Sequence, residues 1–277
     1  MHVKIFKIGK SVQGASHVKG NTPCQDAHRI ECLTDGTLVV AVADGHGSTK
    51  CIYSEKGARL ATDAFVEVIG DLFERTTDDR EKLIHLFRQA GSVDLAKVVC
   101  KRWEKKISKS YSALLGLAKK SGEEIPEYSP ELFGTTLLGL VVAYDFIFAV
   151  QIGDGDIVFV DESSVERVTE PMKILGTETF SLSNGNPWQY AISHFQRLEF
   201  MEKTPCMFMI STDGFANSFI SEDEYLVSCK DYFSTILEYG DKAVQENLEE
   251  WLCQTSQDGC GDDITLVIVG VYEDKSE

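Results

Sequence analysis

Six short apolar or β-branched segments, ended by Gly, Asp or Ser, constrain the fold of this chain more than any other feature. Runs of this length and composition are typical of buried β-strands. The segments are residues 37–43, 135–143, 146–152, 157–160, 207–211 and 264–271. The sequence therefore predicts a protein built around strands that are buried.

Helices are predicted between the first and second of these segments, and again before the last one. Over residues 54–75 the apolar side chains recur at every third or fourth position, which places them on one face of a helix. These side chains are Ala58, Ala61, Phe65, Val68 and Leu72, and the spacing continues through Leu83, Phe87 and Ala90. Another stripe is formed by Leu95, Val99, Trp103 and Ile107, and residues 241–251 also have a helical pattern. Because strands and helices come in separate runs, an α+β layered fold is favoured over alternating βαβ units.

Length and composition indicate a globular protein organised as one domain. The chain has 277 residues, of which 43% are hydrophobic, and this is enough to bury a substantial core. No linker, internal repeat or low-complexity tract divides the sequence. We therefore expect a single domain over residues 1–277, and we expect it to be a monomer.

Charge, hydropathy and cysteine usage argue against several classes of partner. The formal net charge is −17, with 44 acidic and 27 basic residues, which disfavours nucleic acids and anionic membranes as partners. The longest apolar stretch, residues 137–144, is far shorter than the roughly 18–20 residues of a membrane-spanning helix. Eight cysteines occur without a Cys-x-x-Cys pair, and the N-terminus does not resemble a signal peptide. We expect a cytoplasmic protein with no membrane or nucleic-acid partner.

Acidic residues stand at the ends of most of the predicted strands. Asp44 and Asp213 each follow an apolar run and precede a glycine, and Asp262 comes just before the last run. Asp26 and Asp154 occupy similar positions. One Asp-Gly pair alone is more often a simple turn, but solvated turns are not expected to place acids at five strand ends. Since a sheet can bring such carboxylates to one point, where they bind hard divalent cations, the sequence predicts a metal-dependent hydrolase.

The acidic segments belong to an ordered set of six short motifs. The motifs are Cys24-Gln25-Asp26-Ala27, Val42-Ala43-Asp44-Gly45-His46-Gly47, Gly134-Thr135-Thr136, Ile152-Gly153-Asp154-Gly155-Asp156, Ser211-Thr212-Asp213-Gly214 and Asp262-Asp263-Ile264-Thr265. In this order they resemble the motif set of the metal-dependent type 2C protein serine/threonine phosphatases, in the style of a bacterial stand-alone catalytic domain. The resemblance implies a four-layer α-β-β-α sandwich, in which helix pairs flank two mostly antiparallel β-sheets. It also implies hydrolysis of phosphoserine and phosphothreonine with two Mn²⁺ or Mg²⁺ ions.

The resemblance implies a metal-binding role for individual residues. Asp44 would bridge the two ions, and Gly45 would offer its backbone carbonyl to one of them. Asp213 and Asp262 would hold the other ion, and Asp26 would contact the centre directly or through water. A water shared by the two ions would attack phosphorus in line.

The proton donor and the phosphate-binding residues are a second set of expectations. His46, beside the metal ligands, would be the general acid that protonates the leaving serine or threonine oxygen. Many family members carry an arginine before the first acidic motif, whereas the first arginine here is Arg29, after that motif. His17 and Lys19 are the cations available in its place, and we expect them to bind the substrate phosphate, although a solvated surface role for Lys19 is equally open.

Two neutral amides replace acids of the family pattern. Gln25 stands where the family often has Glu, which removes one acidic group from the site. A third metal ion would use Asp154 with Asp213 and an acid four residues further on, and that position is Asn217. Because an amide oxygen is an uncharged and weaker ligand, we expect a third ion to be loose or absent.

Two other functions stay open at this stage. The departures from the family pattern allow a regulatory or binding module that keeps the fold but turns over little substrate. Another two-metal phosphoester hydrolase, such as a nuclease or a nucleotide phosphatase, uses the same chemistry, although the charge of −17 disfavours a nucleic-acid polymer. The expected partner is a phosphorylated protein, as the target of a serine/threonine kinase or as the kinase itself.

Overall fold

The computed structural model describes residues 2–89, 93–171 and 179–274, and within these ranges the chain forms ten β-strands and seven α-helices. The strands are β1 (His2–Val12), β2 (Ala27–Cys32), β3 (Leu38–Ala43), β4 (Leu137–Val142), β5 (Phe146–Ile152), β6 (Asp156–Asp161), β7 (Val165–Arg167), β8 (Ile192–Arg197), β9 (Cys206–Ser211) and β10 (Ile264–Asp274). The helices are α1 (Ala15–Gly20), α2 (Ser54–Arg75), α3 (Arg80–Gln89), α4 (Val93–Ser121), α5 (Asp213–Ala216), α6 (Glu222–Tyr239) and α7 (Asp241–Asp258). None of these helices combines the length and the apolar character needed to cross a membrane.

The strands form two five-stranded antiparallel sheets. The first sheet has the order β1-β10-β9-β6-β7, and the second has the order β2-β3-β4-β5-β8. Every pair of neighbouring strands is antiparallel. All six strands predicted from the sequence are present, and the predicted antiparallel sheets are confirmed.

A central core lies between the two sheets. Val40 of β3 contributes to it, together with Phe208 of β9 and Val269 of β10. The neighbouring side chains Val39 and Met207 point the other way, into cores beneath the outer helices. Because successive side chains of a strand face opposite sides, a strand buried on both sides must be apolar at nearly every position. This burial explains the continuous apolar runs in the sequence.

Helices cover the outer face of each sheet. The long helices α2 and α4, with α3, pack on the second sheet through one apolar core. Helices α6 and α7 pack on the first sheet through another. Close packing is visible at Gly139 of β4, where an added Cβ would lie 2.3 Å from the ring of Phe65 in α2. The predicted four-layer α-β-β-α sandwich is therefore confirmed, as are the helical faces, except at Ala90, which lies outside the described residues.

The elements absent from the sequence-based prediction are the half-exposed ones. Strands β1, β2, β7 and β8 are the edge strands of the two sheets, and most of their side chains are partly exposed. Helix α6 is capped at its N-terminus by Ser221, whose side chain accepts a hydrogen bond from the backbone N–H of Glu224. The first strand, β1, matters for the site because it leads directly into α1, which lies beside the acidic residues.

Candidate active site

The acidic residues predicted from the sequence lie together at one edge of the two sheets. This edge is formed by the ends of the strands and not by an edge strand. Asp26 precedes β2 and Asp44 follows β3, and the antiparallel pairing of these strands places both residues at the same edge. Asp154 follows β5 at this edge of the same sheet. In the other sheet, Asp213 follows β9 and Asp262 precedes β10, again at one edge. Two sheets packed face to face thus bring together five aspartates that are far apart in sequence.

Burial and the neighbouring charges raise the pKa of three of these carboxyl groups. For Asp44, burial is the largest cause, followed by the charges of Asp26 and Asp213. Burial also raises the pKa of Asp26, although a hydrogen bond from Thr212 opposes the rise. For Asp213, burial is again the largest cause, the hydrogen bond with Asp44 opposes it, and the charge of Asp154 adds to it. Carboxylates this close repel one another when ionised, and a cation between them would relieve that repulsion.

Side chains from both sheets hold Asp26 in place. The Thr212 hydroxyl donates a hydrogen bond to Oδ2 of Asp26 at 2.8 Å. The same hydroxyl oxygen accepts a hydrogen bond from the backbone N–H of Thr265 at 2.9 Å. Thr212 therefore links the Asp26 carboxylate of one sheet to the strand ends of the other.

The backbone of Asp44 is held by the Gly134-Thr135-Thr136 motif. Its N–H donates to the hydroxyl of Thr136 at 2.9 Å. Its carbonyl accepts hydrogen bonds from the hydroxyl of Thr135 at 2.7 Å and from the N–H of Thr136 at 2.8 Å. The two threonines therefore position Asp44 through its backbone and do not contact its carboxylate.

The residues after Asp44 are tightly packed. At Gly45, an added Cβ would lie 2.5 Å from the carbonyl oxygen of Gln25, so only glycine fits. The N–H of His46 donates to the carbonyl of Gly134 at 3.1 Å. Burial lowers the pKa of the His46 imidazole, and the charge of Asp154 partly offsets this. Of the clustered aspartates, Asp154 is the one whose charge acts on His46.

The two adjacent acids before β10 have different environments. The side chain of Asp262 is 51% exposed, whereas that of Asp263 is only 4% exposed. Asp263 accepts hydrogen bonds from the backbone N–H groups of Gly14 at 2.6 Å and of Gln25 at 2.7 Å. The sequence predicts a role for Asp262 and none for Asp263. The role of Asp263 as a buried acceptor depends on the direction of its side chain, which the sequence does not show.

The cations proposed for phosphate binding lie in different surroundings. His17, in α1, has its Nδ1 atom 2.8 Å from Oδ1 of Asp263 and its Nε2 atom 3.8 Å from Oδ1 of Asp262. Lys19 is exposed at the end of the same helix. The first arginine, Arg29, forms an ion pair with Asp63 at 2.6 Å and so is engaged elsewhere.

The two neutral amides form hydrogen bonds at the site. The Gln25 amide nitrogen donates to the Ser54 hydroxyl at 2.7 Å, while its Oε1 atom is buried without a partner. The Asn217 amide nitrogen donates to Oδ2 of Asp213 at 2.9 Å. Both amides therefore orient neighbouring groups of the site.

The donor set has the chemistry that a hard divalent cation requires. Carboxylate and carbonyl oxygens are the preferred ligands of Mg²⁺, and Mn²⁺ accepts them as well. Repulsion among the buried carboxylates also favours a cation. Across residues 2–89, 93–171 and 179–274, however, no three His, Cys, Asp or Glu side chains are already gathered around a point that could hold a metal ion. The residues therefore fit the metal in kind, but their side chains are not arranged as a complete coordination shell.

One sequence family matches the chain over most of its length. The family model described as protein phosphatase 2C matches residues 13–253. No curated protein matches the chain by sequence.

Solved structures share the fold at low sequence identity. The S. agalactiae serine/threonine phosphatase has a TM-score of 0.54 and 16% identity, covering 98% of this chain and 100% of that one. PppA, a regulatory component of the T6SS in Pseudomonas aeruginosa, has a TM-score of 0.56 and 13% identity over 98% and 100% of the two chains. The catalytic domain of the phosphatase PstP, solved in complex with 2 manganese ions, has a TM-score of 0.52 and 14% identity over 98% and 100%. At these identities the likeness concerns the fold.

Proposed function

The chain belongs to the protein phosphatase 2C family, and from this premise we propose that it is a metal-dependent protein serine/threonine phosphatase. The observation that carries the proposal is the convergence of Asp26, Asp44 and Asp213 from three strand ends, with each pKa raised by burial. Such a group of like charges, one buried and two half-buried, would destabilise a purely structural core, because each ionised member disfavours the others. A site that binds divalent cations does have a use for it.

The metal ligands of the proposed enzyme are the residues at the two sheet edges. Asp44, Asp213 and Asp262 would hold the ions through carboxylate oxygens. Gly45 would contribute its carbonyl, and Asp26 would bind directly or through water. When two Mn²⁺ or Mg²⁺ ions are bound, they lower the pKa of a water and neutralise charge on the phosphoryl oxygens. Asp154 would contribute to a third ion that is loose or absent.

His46 is the proposed general acid. It lies beside Gly45, and hydrogen bonding to Gly134 fixes its backbone. Its lowered pKa makes the protonated imidazole a stronger acid, which favours proton transfer to the leaving serine or threonine oxygen. The same shift reduces the protonated fraction near neutral pH, and the charge of Asp154 counteracts this reduction.

The proposed substrate is a phosphorylated protein, as the target of a serine/threonine kinase or as the kinase itself. Asp154 and Asp262 are exposed, which leaves the site accessible to a phosphorylated segment of another protein. We propose a cytoplasmic, monomeric enzyme of one domain.

Hydrolysis of a phosphothreonine peptide, measured with Mn²⁺, with Mg²⁺ and with EDTA, tests the proposal. We expect turnover that requires metal and falls about a hundredfold or more in Asp213→Asn, because the substitution removes a charged ligand. Asp231→Asn is the matched control, since Asp231 is an exposed residue of α6 and loses the same charge. Faster hydrolysis of a nucleotide or of DNA would identify another two-metal hydrolase.

A regulatory module that keeps the fold without turnover is the second candidate. The observation in its favour is that Gln25 and Asn217 are neutral amides at positions where acids would add charged ligands, and that Asn217 donates a hydrogen bond to Asp213. Calorimetric binding of Mn²⁺ without hydrolysis of any phosphorylated peptide would support this candidate and contradict the first.

A further inference from the structure

The imidazole of His17 lies between two carboxylates with different surroundings. Its Nδ1 atom is buried and lies 2.8 Å from Oδ1 of Asp263, but the geometry of this pair is not that of a hydrogen bond. Its Nε2 atom is 3.8 Å from Oδ1 of Asp262, which belongs to the acidic cluster. The ring therefore connects a buried acid on one side with the proposed metal site on the other.

The position of His17 is fixed by the loop that carries both acids. The backbone N–H of Gly14 donates to Asp263, and the N–H of Ser16 donates to the carbonyl of Gly261 at 2.8 Å. An added Cβ at Gly14 would lie 2.3 Å from the carbonyl carbon of Asp262, so the two segments are in direct contact. This fixed backbone places the imidazole beside Asp262 without further folding.

Asp263 determines which nitrogen of His17 faces the site. Its two carboxylate oxygens already accept backbone hydrogen bonds from Gly14 and Gln25, so it is held as a buried acceptor. A carboxylate beside Nδ1 favours the tautomer that carries its proton on Nδ1. Nε2 is then the nitrogen with a free lone pair, and it lies 3.8 Å from Oδ1 of Asp262. Two electron-pair donors at this separation can bind one cation that lies between them.

The neighbouring Gln25 leaves this position short of charged ligands. Its amide nitrogen is bound to Ser54, and its backbone N–H is bound to Asp263. It therefore contributes no carboxylate to the side of the cluster where Asp262 lies. The imidazole Nε2 atom of His17, 3.8 Å from Asp262, can supply an additional ligand there.

We propose that His17 is a nitrogen ligand of a divalent cation that it shares with Asp262, and that Asp263 is the residue that positions its imidazole. The inference rests on the proposed function only in requiring that a divalent cation binds at this site. It differs from the phosphate-binding role predicted for His17 from the sequence. A nitrogen ligand favours Mn²⁺ over Mg²⁺, because Mg²⁺ prefers an all-oxygen shell and Mn²⁺ tolerates imidazole.

Pulsed electron paramagnetic resonance of the Mn²⁺-loaded protein tests the inference without relying on activity. Electron spin-echo envelope modulation detects a nitrogen nucleus that is bonded to Mn²⁺. We expect this modulation in the unmodified protein and in His46→Gln, and we expect its loss in His17→Gln. In parallel, calorimetry should show that His17→Gln weakens Mn²⁺ binding at one site by about tenfold or more, with a much smaller effect on Mg²⁺.

Three results would overturn the inference. They are absence of nitrogen modulation in the Mn²⁺-loaded protein, modulation that survives in His17→Gln, and failure of the protein to bind Mn²⁺. If His17 instead binds the substrate phosphate, His17→Gln should raise KM while neither protein shows nitrogen modulation, which also overturns it. Phosphopeptide hydrolysis measured on the same samples separates the two proposals. Turnover without modulation contradicts only the nitrogen ligand, and modulation without turnover contradicts only the phosphatase.

Discussion

The side-chain amide of Asn217 donates a hydrogen bond to Oδ2 of Asp213 at 2.9 Å. Asp213 is the first residue of α5, and Asn217 follows its last residue. Because the amide presents N–H groups to the carboxylate, its oxygen is turned away from the acidic cluster. Asn217 therefore orients Asp213 and contributes no oxygen ligand in this conformation. This geometry gives a physical reason to expect a third metal ion to be loose or absent, an expectation that the sequence supports through the residue type alone.

Replacing Asn217 by Asp should create a stronger third site. We expect Asn217→Asp to bind one additional Mn²⁺ tightly, because a carboxylate next to Asp213 and Asp154 completes a charged oxygen donor set. In EDTA the same variant should be less stable, since it adds a like charge to the cluster. Titration calorimetry and urea unfolding measure both effects. Asn247→Asp, on the exposed face of α7, is the control, and a third tight ion in the unmodified protein would contradict the prediction.

The metal-free protein should lose stability as pH rises. Burial and neighbouring charges raise the pKa of Asp44, Asp26 and Asp213 above the ordinary value of 3.8, so these groups hold more protons in the folded than in the unfolded chain. Their contribution to stability is present at low pH and is lost as pH rises through the raised pKa values. In EDTA, the free energy of unfolding should fall less steeply with pH in Asp44→Asn than in the unmodified protein. Addition of Mn²⁺ at about 100 times its Kd should restore about 2.7 kcal/mol.

Urea unfolding at several pH values checks this prediction. Asp231→Asn removes an exposed charge outside the cluster and should leave the slope unchanged. Equal slopes in the unmodified protein and in Asp44→Asn would show that the pKa of Asp44 is not raised when metal is absent.

The parts of the fold that could be predicted from the sequence are those with two buried faces. Strand β3 is apolar at each of its positions because one face contacts the central core and the other contacts α2, so its pattern identifies it without any partner. Strand β1 carries Lys4, Lys7 and Lys10 between apolar residues, and strand pairing rather than composition makes it a strand. Edge elements of this kind depend on long-range contacts, which sequence pattern alone does not show.

The same distinction holds at the candidate site. The aspartates that follow or precede strands were predictable as a group, because strand ends of packed sheets share an edge. The separate surroundings of Asp262 and Asp263 were not, since they depend on how the chain enters β10 and on the backbone N–H groups of Gly14 and Gln25. The contact of His17 with both acids likewise arises from tertiary packing of α1 against that loop.

The close approach of α2 to the loop that contains Phe133 and Gly134 depends on Gly57. An added Cβ there would lie 2.0 Å from the carbonyl oxygen of Phe133, just before Gly134, which contacts His46. Gly57→Ala should destabilise the protein by about 1–3 kcal/mol through overpacking, and it should lower activity by displacing the loop. Gly70→Ala in the same helix is the control. No atom lies within 4 Å of its added Cβ, so we expect stabilisation of about 0.5–1 kcal/mol from helix propensity.

Urea unfolding and phosphopeptide hydrolysis measure the two variants side by side. Similar stabilities for Gly57→Ala and Gly70→Ala would mean that the loop can move away from α2 at little cost.

The dependence of the rate on the leaving group tests the role of His46. If His46 protonates the departing oxygen, His46→Gln should reduce hydrolysis of a phosphothreonine peptide by about 10²–10⁴-fold, because an alkoxide is a poor leaving group. Hydrolysis of p-nitrophenyl phosphate should fall much less, since its leaving group needs no proton.

Burial lowers the pKa of His46, so the rate for the peptide should decline as pH rises through a pKa below the ordinary 6.5, and this decline should vanish in the variant. His85→Gln, at an exposed position of α3, should behave like the unmodified protein. An equal loss with both substrates would assign His46 to positioning of the site and not to proton transfer, because only proton transfer depends on the basicity of the leaving oxygen.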